Sequence, residues 1–197
     1  MEGLNVVVGA RATAYQGWFS TDLRSSEAPP LDIRREEDWR YYFAPGSIDK
    51  IVCEHCLEHM SFEDGFKALS NFQKFLKPSG FARIAVPDAY NPNPFYQEHI
   101  RPGGLGQLLA RLFLYARNEP PHQVHYDYLT LSALISRAGL EPTLCEYFDE
   151  AGRFWLRYWD KAAAPIRRYY GSPYNRRVFK PWCGFQSLSI IVDAKRS

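Results

Sequence analysis

The sequence predicts an α/β domain built around an open, mostly parallel sheet. Short β-branched runs such as "LNVVV" at Leu4–Val8 are typical of strands that are buried on both faces. The stretch 47–88 consists of a strand, an amphipathic helix and a strand, and such a βαβ unit requires its two strands to be parallel. With 197 residues, 46% of them hydrophobic and 16% aromatic, the chain suits one folded domain spanning 1–197.

The first two predicted strands lie close together in the sequence. "LNVVV" ends at Gly9, and "GWFSTDL" at Gly17–Leu23 forms a second strand with an acid, Asp22, at its end. Residues 10–16 between them are too few for an ordinary crossover helix. The sequence therefore predicts that the first crossover helix is short or missing.

The βαβ unit is the best-marked part of the chain. Its strands are "SIDKIVCEH" at 47–55 and "FARIAVPD" at 81–88. Ser61 followed by Asp64 marks the start of the helix between them, and "PSG" at 78–80 marks its end. One face of this helix is apolar at helical spacing and comprises Phe62, Phe66, Leu69, Phe72, Phe75 and Leu76.

Residues 89–121 are long for a simple connection. They open with "NPNPF" and contain an amphipathic helix at Leu105–Arg117, so we expect an insertion or a lid near the edge of the sheet. We expect Thr130 to cap the next helix. The remaining predicted elements are that helix at 128–139 and strands at 141–150 and 187–195.

A basic, aromatic stretch at 151–186 precedes the last strand. Between Arg153 and Lys180 it holds eight basic residues and one acid, interleaved with six tryptophans and tyrosines. Such a mixture suits a nucleic-acid surface, where rings stack on bases and cations neutralise phosphates. Because the whole chain carries a charge of only +2, we instead favour an insertion whose rings pack on the core and whose arginines stay solvated. A pocket wall for a sugar or an anionic substrate is a further interpretation.

The segment "CEHCLEH" at Cys53–His59 contains two spacings that metal sites use. A structural zinc site needs four ligands, usually as two pairs, and Cys53 with Cys56 supplies one such pair. Cys145 and Cys183 stand alone, so the second pair is missing. We therefore expect Cys53 to contribute to core packing and not to a zinc site.

The second spacing, H-x-x-E-H, is typical of inverted zinc peptidases. In such a site His55 and His59 would bind zinc from one helix face, with Glu58 as the base. That chemistry needs a third ligand from a second helix, and the downstream Glu119 sits beside two prolines, a poor helical position. His55 also ends a predicted strand. A metallopeptidase is therefore the least favoured hypothesis, and no metal is expected.

Polar and glycine residues fall at the predicted strand ends, where ligands bind in open α/β sheets. A glycine lets the backbone approach a ligand, an acid after the second strand can accept both hydroxyls of a ribose, and an acid after a third strand can accept an exocyclic amine. Together these features describe a pocket for an adenosyl group. The residues are Gly9, Asp22, Asp32 in a third strand end or loop, Glu54 with His55, and Asp88.

These segments resemble the class I S-adenosylmethionine-dependent methyltransferases. The likeness is greatest to a branch with a "GW-x-N-x-D" second strand, an "H-x-LEH" segment after the fourth strand, and "L-K-P-G-G" before a strand that ends in "PD". It covers residues 4–90 and 122–148 and the last strand. The resemblance implies a Rossmann-like, seven-stranded, mostly parallel sheet with an antiparallel last strand and helices on both faces.

The resemblance also implies a set of S-adenosylmethionine contacts. Gly9 would meet the methionine part, Asp22 would hold the ribose, and Asp32 would flank the adenine. Glu54 and His55 would lie beside the sulfonium. The full implied set is Val8, Gly9, Ala10, Asp22, Leu23, Asp32, Ile33, Glu54 and His55.

One departure from the family pattern leaves a second hypothesis open. The glycine-rich turn of the family reads G-x-G, whereas Val7 takes the place of the first glycine here. A β-branched side chain at a tight turn obstructs close backbone approach. The alternative is a catalytically degenerate module of the same fold that binds a nucleoside or a partner protein.

The favoured hypothesis is an enzyme that methylates a small-molecule or sugar-type acceptor. An oxygen or nitrogen acceptor can require a general base, and the candidates are His55, Asp88, His122 and His125. Four sparse cysteines and the lack of a long apolar run or a signal-peptide pattern predict a cytoplasmic protein without a membrane partner.

Overall fold

The structure, a computed structural model, describes residues 3–10, 14–23, 26–105, 108, 120–170 and 188–196. Most of the helix expected at Leu105–Arg117 and the later half of the basic, aromatic stretch lie outside these residues. None of the helices within the described ranges is long and apolar enough to cross a membrane.

The described residues form seven strands and four helices. The strands are β1 Asn5–Val8, β2 Trp18–Thr21, β3 Ile48–Glu54, β4 Leu76–Pro87, β5 Glu141–Phe148, β6 Phe154–Leu156 and β7 Ser189–Lys195. The helices are α1 Glu36–Tyr42, α2 Phe62–Phe75, α3 Pro94–Ile100 and α4 Tyr128–Arg137, and a short 3₁₀ turn spans Leu57–His59. The sequence did not predict α1, α3 or β6.

All seven strands belong to one sheet in the order β2-β1-β3-β4-β7-β5-β6. β2, β1, β3 and β4 pair in parallel, whereas β7 runs antiparallel between β4 and β5, and β6 forms a hairpin with β5. The predicted mostly parallel, seven-stranded α/β fold with an antiparallel last strand is therefore confirmed. The residues described between β1 and β2 are not helical, as the short spacing predicted.

The two best-defined helices begin at side-chain caps. Ser61 Oγ accepts a 3.1 Å hydrogen bond from the backbone N–H of Asp64, as the sequence predicted for α2. In α4 the cap is Asp127 and not Thr130. The carboxylate of Asp127 accepts the N–H of Thr130 at 2.7 Å, and the hydroxyl of Thr130 accepts the N–H of Asp127 at 3.2 Å, which completes a capping box.

The main core lies on one face of the sheet. Alternate strand residues such as Val6 and Val8 point to this face, because successive side chains of a strand point to opposite sides. α1, α2 and α4 cover it through buried side chains that include Trp39, Phe72 and Leu131.

The opposite face is covered by an irregular segment, residues 157–170, which we call the strap. Trp159 and Ile166 of the strap pack with Val7 and Ala85 of the sheet in a second buried cluster. The resemblance implied helices on both faces. Within the described part of the chain, α1, α2 and α4 pack on the face that carries the main core, and the strap packs on the opposite face.

Two buried polar side chains of the sheet hold the strap. Arg83 pairs with Asp193 at 2.7 Å on the neighbouring strand, and its Nη1 donates to the strap carbonyl oxygens of Asp160 and Ala164 at 2.6 and 2.7 Å. Glu146 accepts the indole N–H of Trp159 at 2.9 Å and the backbone N–H of Tyr170 at 2.7 Å. Arg83 and Glu146 therefore hold the strap against the face of the sheet opposite the main core. Burial raises the pKa of the Glu146 carboxyl.

Candidate active site at the carboxyl edge of the sheet

The carboxyl ends of the parallel strands meet at one edge of the sheet. The chain passes from β1 to β2 on one side and later to β3 on the other, so the strand order reverses between β1 and β3. In open α/β sheets the ligand-binding crevice lies at such a reversal. The residues that follow the strand ends here are Gly9 after β1, Asp22 after β2, His55 after β3 and Asp88 after β4.

Gly9 has a positive φ of 63° and lies directly against Cys56. A Cβ at Gly9 would overlap Cys56 Sγ, which also lies 3.5 Å from the carbonyl oxygen of Val8. The packing of the chain itself therefore requires a glycine here, in addition to any ligand. The sequence pattern pointed to Gly9 but not to its contact with Cys56.

Val8 and Ala10, the neighbours of Gly9, can contact a ligand mainly through their backbone atoms. Val8 and Ala10 are 1% and 2% exposed, so their side chains belong to the core. The N–H of Ala10 donates to the carbonyl oxygen of Thr21 at 2.9 Å and ties the end of β1 to the end of β2.

Asp22 and Leu23 follow β2 and differ in exposure. Asp22 is 7% exposed, and its N–H donates to the carbonyl oxygen of Pro29 at 3.1 Å. Leu23 is 47% exposed. The pair presents a carboxylate and an apolar surface side by side.

Asp32 lies in a loop, and Arg34 engages its carboxylate. Arg34 Nε and Nη2 donate to the two oxygens of Asp32 at 2.8 and 2.6 Å, and these hydrogen bonds lower the pKa of Asp32. A ligand amine would have to compete with Arg34 for this carboxylate. The side chain of Ile33 is buried in the main core, where its carbonyl oxygen accepts the indole N–H of Trp39.

Glu54, the last residue of β3, contacts the strap. Oε1 accepts the backbone N–H groups of Arg167 and Arg168 at 3.1 and 2.9 Å, and Oε2 lies 3.2 Å from Nε of Arg167. The carboxylate predicted to lie beside a cofactor is therefore also a third anchor of the strap.

His55 is held between two side chains. Its Nδ1 lies 2.9 Å from Oε1 of Glu58 and its Nε2 lies 2.9 Å from Oγ of Ser189. Because a carboxylate only accepts, Nδ1–H donates to Glu58, and Nε2 accepts the hydroxyl proton of Ser189. Burial, and then the charge of Arg168, lowers the pKa of His55, which favours the neutral ring. A φ of 57° places this non-glycine residue in the left-handed region, which recurs at functional sites.

The structure separates the two histidines of the H-x-x-E-H pattern. His55 precedes the 3₁₀ turn and bonds to Glu58 and Ser189, whereas His59 ends that turn, with Nδ1 2.8 Å from the carbonyl oxygen of Pro120. They do not share a helix face, so the geometry does not match that of an inverted zinc peptidase.

Asp88 is an anchor and poorly placed to act as a base. It is fully buried, and its two oxygens accept the backbone N–H groups of Tyr90 at 2.9 Å and Phe148 at 2.7 Å. Burial raises its pKa to about 6 against the opposing effect of these two bonds. The carboxyl therefore joins the end of β4 to the end of β5.

The other two candidate bases lie in the segment that leads to α4. Nδ1 of His122 is 2.6 Å from the carbonyl oxygen of Ile100, and its ring lies edge-to-face with that of His59 at a centroid distance of 4.8 Å. Burial lowers the pKa of His125, whose Nε2 is buried without a hydrogen-bond partner among the described residues.

α3 lies within residues 89–121, the segment predicted to be an insertion or a lid, and it contacts the residues that follow β4. The side-chain amide of Gln97 donates to the carbonyl oxygens of Asp88, Ala89 and Asn91, the last at 2.7 Å. The buried hydroxyl of Tyr96 donates to the carbonyl oxygen of Leu188 at 3.1 Å. The sequence did not indicate Tyr96 or Ser189, because their partners are distant along the chain. Gln97 was not indicated either, although its partners lie only six to nine residues away.

Solved structures share this architecture. A methyltransferase from Archaeoglobus fulgidus described as S-adenosylmethionine-dependent matches 98% of this chain and 86% of its own, with 14% identity and a TM-score of 0.54. A possible histamine N-methyltransferase from Thermotoga maritima matches 100% and 83%, with 12% identity and a TM-score of 0.57.

A third similar structure carries ligands. The 1,6-didemethyltoxoflavin-N1-methyltransferase of Burkholderia thailandensis, with 1,6-didemethyltoxoflavin and S-adenosylhomocysteine bound, matches 99% of this chain and 72% of its own, with 14% identity and a TM-score of 0.51. Neither a protein-family model nor a curated protein matches the chain. The chain therefore has the fold of the class I S-adenosylmethionine-dependent methyltransferases.

Proposed function

We propose that this protein is an S-adenosylmethionine-dependent methyltransferase acting on a small-molecule acceptor. The observation that carries the proposal is the reversal of strand order between β1 and β3, with Gly9, Asp22 and His55 at the strand ends around it. Ligands bind at such reversals in open α/β sheets. The fold shared with three methyltransferases, one of them holding S-adenosylhomocysteine, supports the same assignment.

The proposed cofactor contacts follow the strand ends. The backbone at Gly9 would receive the methionine part, and Asp22 would accept the ribose hydroxyls. Leu23, exposed beside Asp22, would be covered by the nucleoside. Asp32 and Ile33 would flank the adenine, with Arg34 competing for the carboxylate.

The residues of the chain would contribute alignment and the exclusion of water. When bound, S-adenosylmethionine supplies a methyl group on a sulfonium, a leaving group good enough that positioning dominates the catalytic demand. Glu58 and Ser189 hold the ring of His55 from both sides and so fix its position beside the proposed sulfonium. Arg168 of the strap bears a positive charge close enough to influence His55. This charge favours an acceptor with an anionic or strongly polar group.

The degenerate module remains the second hypothesis, because two observations favour it. Val7, in place of the first glycine of the turn, is 3% exposed and packs in the cluster beneath the strap. Cys56 Sγ occupies the space against Gly9. Both restrict how closely a ligand can approach the end of β1.

Titration with S-adenosylhomocysteine tests the proposal. A ligand at 100 times its Kd stabilises the folded state by about 2.7 kcal/mol, which for this chain length corresponds to a rise in Tm of roughly 5–10 °C. Asp22→Asn should weaken binding, whereas Asp49→Asn, at the opposite edge of the sheet, should leave it unchanged. Binding without methyl transfer to a panel of small-molecule acceptors would favour the degenerate module, and no shift at millimolar ligand would overturn the cofactor assignment.

A further inference from the structure

Three side chains that can bind a metal converge beside the candidate active site. A carboxylate oxygen of Glu58 and one ring nitrogen each of His59 and His122 all lie within 4.8 Å of one another. Glu58 and His59 belong to the 3₁₀ turn after β3, whereas His122 comes from the segment before α4. The H-x-x-E-H spacing suggested His55 and His59 as the two histidine ligands of a metal. In the structure the histidines that converge on Glu58 are His59 and His122.

Hydrogen bonds orient both imidazoles. Nδ1 of His59 lies 2.8 Å from the carbonyl oxygen of Pro120, and Nδ1 of His122 lies 2.6 Å from that of Ile100. A carbonyl oxygen can only accept, so each Nδ1 carries the proton and each lone pair is on Nε2. Histidines that bind metals characteristically donate their second ring N–H to a carbonyl or a carboxylate in this way.

Glu58 supplies the observation that points to a ligand. Its side chain is 1% exposed, and Oε1 accepts the proton of His55 Nδ1 at 2.9 Å. Oε2 is buried and has no hydrogen-bond partner among the described residues. A buried carboxylate oxygen without a partner is costly, and a cation would remove that cost.

We propose that Glu58, His59 and His122 form a site for a divalent transition-metal ion, with Zn²⁺ as the best-fitting ion. Two imidazoles and one carboxylate are ligands that zinc accepts, and His55 holds the carboxylate from behind. At metal–ligand distances of about 2.0–2.2 Å, ligand atoms on one tetrahedral ion lie about 3.4 Å apart. Atoms that now lie within 4.8 Å of one another would therefore close in by at most about 1.4 Å.

The site has open coordination positions. Three protein ligands plus water is the arrangement of zinc sites that bind substrates, whereas structural zinc sites have four protein ligands. His59 and His122 are partly exposed, which gives an ion and a further ligand access from solvent. Through Glu58 and His55 the metal connects to the proposed methyl-transfer site. It is therefore placed to bind an oxygen or nitrogen atom of a small molecule.

Metal binding by the full-length chain tests this inference without reference to methyl transfer. After incubation with Zn²⁺ and removal of the excess, mass spectrometry of the metal should find about one ion per chain, because the three side chains form one site. His122→Ala and Glu58→Gln should each lower Zn²⁺ affinity by at least about 100-fold, since changes to supporting residues alone cost roughly 10–100-fold. Far-UV circular dichroism checks that each variant is folded.

His99→Ala is the matched control. His99 lies exposed on α3, and its Nδ1 makes the same kind of bond to a carbonyl oxygen, that of Phe95, at 2.8 Å. This variant should bind Zn²⁺ as the parent chain does. Substoichiometric metal in the parent chain, or equal losses in His99→Ala and His122→Ala, would overturn the proposal.

Cobalt substitution identifies the ligands independently. A site with nitrogen and oxygen ligands gives Co²⁺ visible d–d bands without a thiolate charge-transfer band, and His122→Ala should abolish these bands. An intense near-ultraviolet thiolate band would instead assign the metal to Cys53 and Cys56 and would overturn the proposed ligand set.

Discussion

The backbone N–H of Arg168 donates a 2.9 Å hydrogen bond to Oε1 of Glu54, and this contact joins the strap to the end of β3. The same carboxylate is proposed to lie beside the cofactor. Under the proposed function, the position of the strap and the occupancy of the site would be coupled through this side chain.

Removing the carboxylate of Glu54 should loosen the strap. Glu54→Ala leaves the N–H groups of Arg167 and Arg168 without their acceptor, and each of these part-buried hydrogen bonds contributes about 0.5–1.5 kcal/mol. Limited proteolysis with trypsin should then cut after these two arginines at least about tenfold faster, because cleavage follows local opening. Glu54→Gln keeps an oxygen acceptor and serves as the control. Equal cleavage of Glu54→Ala and the parent chain would contradict the anchoring role.

The pair of Arg83 and Asp193 should contribute far more stability than an exposed pair. Arg83 is 2% exposed and also holds two carbonyl oxygens of the strap, so Arg83→Met should lower the free energy of unfolding by about 3–5 kcal/mol. Arg153, 73% exposed, pairs with Asp149, and Arg153→Met should cost less than about 1 kcal/mol. Urea denaturation at one pH measures both losses, and similar values would contradict the anchor assignment.

Gly9→Ala should destabilise the protein more than Gly17→Ala. Both glycines have positive φ, 63° and 77°, so each substitution costs about 1–2 kcal/mol in backbone strain. A Cβ at Gly17 meets nothing within 4 Å, whereas one at Gly9 overlaps Cys56 Sγ, which adds about 1–3 kcal/mol of overpacking. In a double variant, Cys56→Ala should restore the stability that Gly9→Ala loses through overpacking, but not the part lost through backbone strain. Equal unfolding free energies for the two single variants would refute the steric explanation.

Titration of Asp88 should make stability fall between about pH 4 and pH 6. Burial raises its pKa from 3.8 to about 6, so the folded state binds more protons than the unfolded state in this interval. Stability therefore decreases as pH rises through it, by about 3 kcal/mol in total. Asp88→Asn removes this dependence, and Glu141→Gln, at an exposed position, keeps it. Urea midpoints at several pH values give the slopes, and parallel slopes for parent chain and Asp88→Asn would reject the assignment.

Most of the sheet and the two helices α2 and α4 follow from local sequence patterns. β1, β3, β5 and α2 begin and end within two residues of their predicted limits. Hydrophobic periodicity and helix caps act over a few residues, so they can be recognised without the rest of the fold. α1, α3 and β6 were missed because such short elements owe their stability to tertiary packing more than to propensity, as the single buried Trp39 of α1 illustrates.

The sequence also predicts that the residues at the ends of the parallel strands meet at one edge of the sheet, namely Gly9, Asp22, His55 and Asp88. It does not predict the side chains with which these residues form hydrogen bonds. Ser189 lies 134 residues from His55, and the strap reaches Glu54 from 113 residues away. Contacts of this kind depend on how the chain returns to the sheet, and no periodicity or spacing encodes them. Only the folded chain therefore shows that the strap covers the second face of the sheet and that Cys56 leaves no room for a side chain at Gly9. The same is true of the convergence of Glu58, His59 and His122.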